Sequence, residues 1–394
     1  MVPFTDLKAQ YQSIKTQIDS AMADMLSVCQ FVQGPGIARF EGAFAEYCGL
    51  RAAVGVHSGT AAVHLVLSAL DIGPGDEVIV PALACVGAVE AVAQRGARIV
   101  FADVRSDNGT LDRRAVERCI TRRTRAILAV HLYGQVADVN ALTELIAQSG
   151  RPIHLIEDAG DAPGAQLRGR VTGSFGTAGC FDFSPVGNLG AMGDAGAVVT
   201  QDLALARRMR KMRDRPEDDA DRRELIGFPC RLDTLQAGVL LVKLAHLDRW
   251  NERRRALAAI YDRLLANVPG VARPEPTAAS EPGWNLYVIQ VEDREGLRAF
   301  LGERDIASAV HYPIPLHRLP ALGEIDHVAG PLPVAEHWAD HVLSLPLYPE
   351  MSDRQVHEVA EAVRQFQTRR LPRSAAEAPV TRKKKRKRGQ SDER

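Results

Sequence analysis

Between about residues 35 and 200 the chain alternates between two hydrophobic periods. Segments such as GTAAVHLVLSALDIG (59–73), VGAVEAVAQRG (86–96), LDRRAVERCI (111–120) and VNALTELIAQSG (139–150) repeat their apolar residues at helical spacing. Between them lie short apolar runs: EVIVPA (77–82), ARIVFADV (97–104), TRAILAVHLYG (124–134) and PIHLIEDAG (152–160). The 3.6-residue pattern predicts helices, and short runs bounded by Gly and Pro predict buried strands. Strand following helix in repetition predicts a mainly parallel, doubly wound α/β sheet covered on both faces. Ligands of such sheets gather beyond the carboxyl ends of the strands. The candidate positions are therefore 57–60, 81–85, 131–135 and 158–161, with the turn FDFSPVGNLGAMGDAGA (181–197).

Past residue 230 the pattern changes. DTLQAGVLLVKLAHLDRWNERRRALAAIYDRLLANV (233–268) reads as one long helical region. NLYVIQV, LRAFLGERDI and RQVHEVAEAVRQFQ then mix short strands and helices, which predicts a smaller α+β domain. The expected division is a large domain with an N-terminal arm over 1–250, a small C-terminal domain over 251–370, and a disordered basic tail over 371–394.

Composition narrows the class. A chain of 394 residues, 46% hydrophobic and 25% charged, can bury a sizeable core. No apolar run is long enough to cross a bilayer, and Met1 to Asp6 lack a leader pattern, so a cytoplasmic protein without membrane partners is expected. Six cysteines without a CxxC pair suggest reduced thiols. The net charge of zero hides an asymmetry: residues 381–394 carry eight basic and two acidic groups, a net +6, leaving −6 on residues 1–380. Such a charge-dense segment reads as a solvated tail, and nucleic acid is not expected as a partner apart from it.

Single motifs are weak. HSGTAA (57–62) places Ser58, Gly59 and Thr60 where a helix begins, which suits either an anion or simple capping. HLIEDAGD (154–161) ends a strand with Glu157, Asp158 and Asp161, which could orient a cofactor nitrogen, act as base, bind a metal, or sit in a solvated loop. Histidines in HLYGQVADV (131–139) and HYPIPLH (311–317) lack metal-ligand spacing, and no metal is expected. Neither a GxSxG elbow nor a Walker loop occurs.

In order, however, VQGPGIARFEGAFAEYCG, SGTAAVHLVLSALDIGPGDEVIVPA, ARIVFADV, LIEDAGDAPGA, NLGAMGDAGAVVT, RLDTLQAGVL and LPVAEHWADHVLSLPLYP resemble the DegT-type family of sugar aminotransferases across residues 2–365. That resemblance implies the aspartate-aminotransferase fold, a homodimer, a role in carbohydrate or antibiotic biosynthesis, and pyridoxal phosphate (PLP). It also implies a lysine for the internal Schiff base, in a stretch like SFYPTKNLGAYGDGGA. Here Gly187 matches the lysine. Asp182 matches the phosphate-binding serine, Cys85 the ring-stacking aromatic, Asp161 a glutamine near the PLP hydroxyl, and Pro229 a neighbouring subunit's asparagine. Asp158, matching the partner of the pyridine nitrogen, is retained with Gly59, Thr60 and Arg231.

These departures lead to a definite expectation. Asp158, Asp161 and Asp182 would be the catalytic groups of an acidic pocket. Ser58, Gly59, Thr60, Cys85, Gly187, Asn188, Arg231 and His317 would bind a sugar or amine-bearing small molecule. The enzyme would be PLP-independent, with no cofactor unless PLP is held non-covalently, and an ordinary transaminase is not expected. The alternatives are a non-catalytic partner of an active pathway enzyme and a PLP-dependent sugar aminotransferase.

Overall fold

The computed structural model describes residues 1–214 and 226–370. In chain order the strands are β1 (Ala52–Val56), β2 (Glu77–Pro81), β3 (Arg98–Ala102), β4 (Thr124–Val130), β5 (His154–Asp158), β6 (Gln166–Leu167), β7 (Arg170–Val171), β8 (Ala178–Asp182), β9 (Gly196–Thr200), β10 (Val271–Ala272), β11 (Ser280–Glu281), β12 (Tyr287–Val291), β13 (His327–Ala329) and β14 (Val342–Leu345). The helices are α1 (Leu7–Val28), α2 (Pro35–Tyr47), α3 (Gly59–Ala69), α4 (Gly87–Gln94), α5 (Arg113–Cys119), α6 (Val139–Ser149), α7 (Leu203–Asp214), α8 (Thr234–Leu244), α9 (Leu247–Leu265), α10 (Arg294–Gly302), α11 (Pro333–His341) and α12 (Asp353–Arg370).

Eight strands form the main sheet in the order β1-β9-β8-β5-β4-β2-β3-β13. It is mostly parallel, as the alternation predicts; β9 alone among them runs antiparallel, to both β1 and β8. Side chains alternate across this sheet with a period of two. Val78, Val80, Ile99 and Phe101 enter the core on one face, beside α3 and α4. Ile79, Val100, Ile127 and Ala129 enter the other, beside α5 and α6. Both faces are covered, which is why these strands read as continuous apolar runs. Each such buried aliphatic contributes about 1.5–3 kcal/mol.

A second layer is built on the antiparallel sheet β10-β12-β14. Tyr287 and Ile289 of β12 pack there against Leu257 and Tyr261 of α9 and against Val356, Val359 and Val363 of α12. The N-terminal arm is sewn to this layer: the Val2 amide donates to the Asp305 carbonyl at 2.7 Å, and the Ala307 amide donates to the Val2 carbonyl at 2.9 Å. Phe4 and Thr5 are thereby carried to the mouth of the large sheet.

Several features differ from the pattern reading. The helical region 233–268 breaks into α8 and α9 around Ala245 and His246, so its apolar stripes face different partners. Helix α1 buries Ile14 and Ile18 against Val239 and Trp250. Strand β13 returns from late in the chain to extend the large sheet beside β3. No described helix is long and apolar enough to cross a membrane. The expected tail over 371–394 lies outside the described residues.

Candidate active site

A cavity of about 410 Å³ opens at the carboxyl ends of β4, β5 and β8. Asp158 ends β5 and Asp182 ends β8, so the parallel sheet aims both carboxylates at the same space. Helix α3 begins beside them. The Asp182 Oδ2 accepts from the Gly59 amide at 2.8 Å, and its Oδ1 accepts from the Ser184 amide at 2.8 Å. A Cβ on Gly59 would come within 2.7 Å of the Asp182 Cβ, so the glycine allows this close approach. The Asp158 Oδ1 accepts a longer bond, 3.2 Å, from the Gly160 amide.

Asp161 completes the acidic wall. Its Oδ2 accepts from the Tyr133 amide at 2.9 Å and its Oδ1 from the Asn285 Nδ2 at 2.8 Å. Burial is the main force on the first and third of these carboxyls. It pushes Asp158 up to about 6 against the Gly160 bond, with help from Asp182. It pushes Asp161 up to about 6 against the Tyr133 bond, with help from Asp158. Cys85 faces the same cavity, its thiol raised chiefly by burial.

Strand alternation separates Glu157 from Asp158. Glu157 is fully buried on the opposite side. Its carboxylate accepts from the Gly173, Phe175 and Gly176 amides at 2.8, 2.7 and 2.8 Å and meets His131 Nε2 at 3.0 Å. The His131 Nδ1 accepts from the Ala137 amide at 3.1 Å, so Nε2 carries the proton given to Glu157. This pair holds loops together and leaves Asp158 to the cavity.

Of the residues expected at the site, Gly59, Thr60, Cys85, Asp158, Asp161, Asp182 and Gly187 line the cavity. Four do not. Ser58 caps α3, its Oγ accepting from the Ala61 amide at 3.2 Å. Asn188 is buried and donates to Asn251 Oδ1 at 2.8 Å and to the Gly283 carbonyl at 2.6 Å. Arg231 donates to the Asp214 carbonyl. His317 lies 3.1 Å from Glu336 Oε1, beside Phe101. The side chains of these four residues are taken up by structural contacts instead.

The pattern reading did not select Phe4, Thr5, Arg254, Asn285 and Tyr312 as site residues, yet all line the cavity. They come from the arm, α9 and the second layer, and folding alone brings them there. One local signal exists at Tyr312: its φ of 63° is left-handed, which a bulky residue rarely adopts. Among the described residues, no group of three or more His, Cys, Asp or Glu side chains could hold a metal ion.

The family described as the DegT/DnrJ/EryC1/StrS aminotransferase family matches residues 12–364. The chain belongs to that family. It is 44% identical over 368 residues to the dTDP-3-amino-3,4,6-trideoxy-alpha-D-glucose transaminase of Streptomyces venezuelae, covering 93% of this chain and 97% of the relative. It is 43% identical over 351 residues to the erythromycin biosynthesis sensory transduction protein EryC1 of Saccharopolyspora erythraea, covering 89% and 95%. The crystal structure of S. venezuelae DesV in complex with a ketimine intermediate superimposes with a TM-score of 0.89 at 44% identity, covering 93% and 98%.

These likenesses correct three expectations. The PLP-independent enzyme is not supported, because relatives alike over nearly their whole length are named transaminases. The view that an ordinary transaminase is not to be expected falls with it. So does the expectation of no cofactor, since the family's aminotransferases are PLP-dependent. Departures at five separate positions, Cys85, Asp161, Asp182, Gly187 and Pro229, thus stand within a plan held across the whole fold.

The cavity fits PLP in part. The half-buried Asp158 carboxyl at the end of β5 suits a ring nitrogen. Among the described residues no lysine lines the cavity, so none of them supplies a covalent anchor there. At the start of α3 the Asp182 carboxylate already takes the Gly59 amide.

Proposed function

We propose that this chain is a PLP-dependent aminotransferase acting on a nucleotide-linked sugar. The observation that carries the reading is the 44% identity to a dTDP-sugar transaminase across 93% of the chain. The cavity beyond the strand ends agrees with it, as does the half-buried carboxyl of Asp158. The cofactor supplies the amino-group carrier. In this reading it is held by non-covalent contacts. The chain's own part is to orient and to hold protons at the Asp158 and Asp161 carboxyls, both near 6.

The reading extends to a homodimer in the cytoplasm, serving carbohydrate or antibiotic biosynthesis. Phe31, Val32, Val186 and Met192 are exposed. The Phe31 carbonyl and the Met192 amide both bond to the start of α8, which brings the Phe31 and Met192 segments near one another. A second copy would cover such a patch. All six cysteines are unpaired, which supports a reducing compartment.

The test is to titrate the purified protein with PLP and with pyridoxamine phosphate by calorimetry. Amino transfer between a dTDP-linked keto sugar and an α-amino acid is then followed by mass spectrometry. Saturable binding that borohydride does not fix to the chain, together with amino-sugar product, is expected. No binding of either cofactor form and no transfer would overturn the reading.

A further inference from the structure

Arg254 lies on α9, is 3% exposed, and lines the cavity. Its Nη1 donates to the carbonyls of Leu347 at 2.9 Å and of Trp284 and Asn285 at 3.2 Å each. Its Nε has no acceptor. No carboxylate of the described residues lies within 4.0 Å of the guanidinium; Glu350 acts on it only from farther away. Three carbonyls aim the group but leave its charge unmatched. A buried cation in this state is costly unless an anion joins it.

The same cavity carries the acids, and Asn285 connects them to Arg254. Its carbonyl accepts from Arg254, while its Nδ2 donates to Asp161. The cavity lining therefore carries both a guanidinium and carboxyls. A guanidinium has five N–H groups, and the carbonyl bonds here engage one nitrogen.

We propose that Arg254 is an anion-binding residue of this cavity, taking carboxylate or phosphate oxygens of a ligand through the N–H groups its carbonyl bonds leave over. Two sources share that chemistry: the carboxylate of an amino acid and the diphosphate of a nucleotide-linked sugar. The inference uses the cavity of the proposed function but not its cofactor, so the probes are used without PLP.

L-glutamate and dTDP are titrated separately into the full-length protein, beside their less charged counterparts, the α-amide of glutamate and thymidine. The charged member of at least one pair is expected to bind about tenfold to a hundredfold more tightly. That preference should shrink by a similar factor in Arg254→Gln and partly return in Arg254→Lys. The pair that responds identifies the source. Should Arg254→Gln fail to fold, the wild-type comparison still decides. Equal binding within both pairs, or a preference that survives Arg254→Gln in folded protein, would overturn the inference. Failure to bind PLP in a separate titration would count against the proposed function and leave this result standing.

Discussion

The carboxylate of Asp182 sits at the start of helix α3, 2.8 Å from the Gly59 amide. The protein thus presents its own anion to the positive end of that helix. An N-terminus of this kind otherwise favours a phosphate or carboxylate ligand. Asp182→Ser should remove the competing charge and raise the affinity for inorganic phosphate and for PLP by about tenfold or more. Calorimetry on the two proteins checks this. Equal affinities would show that phosphate does not approach α3.

Gly187 lies on the cavity wall, and an added Cβ would meet only the Ser184 carbonyl, at 3.3 Å. Its backbone is not left-handed, so a side chain is tolerated there. Gly187→Lys should therefore fold with little change in Tm and place an amine in the cavity. With PLP it should form an adduct that borohydride fixes to residue 187, detected by peptide mass spectrometry. A variant that folds and binds PLP yet gives no adduct would show that the turn does not face the cofactor's aldehyde.

The raised carboxyls set a pH dependence of stability. Asp158 stands at about 6 in the folded protein, against 3.8 for an ordinary aspartate. Between those values the native state keeps a proton that the unfolded chain has released. Its contribution to stability is fully present below about pH 4 and is lost as pH rises through 6. Asp161 acts in the same sense. Asp158→Asn should flatten this decline and add on the order of 2 kcal/mol above pH 6. Urea denaturation at pH 4.5 and 7.5 reads the difference; an unchanged slope would show that Asp158 is ionised at little cost.

Asn188 was expected to touch ligand, but its amide bridges Asn251 and Gly283. Asn188→Ala leaves two buried acceptors without donors. It should cost about 1–3 kcal/mol of stability, with ligand affinity changed by less than about twofold. Chemical denaturation and calorimetry separate the two effects, and a large affinity loss at unchanged stability would return Asn188 to the site.

Much of this was legible in the residue order. Alternating 3.6-residue and short apolar periods determined a mainly parallel sheet. That sheet determined that Asp158, at the end of one strand, and Asp182, at the end of another, would line one cavity. The same period of two was enough to turn Glu157 away from Asp158. Local pattern has no reach beyond a few turns of chain, however. Arg254, Asn285 and Phe4 meet at the cavity only because α9, the second layer and the tethered arm fold back over the strand ends. His317 and Arg231 leave it because Glu336 and Asp214, 19 and 17 residues away and on other elements, offer them partners. Periodicity fixed where a site would form; packing between segments far apart in the chain decided which side chains reach it.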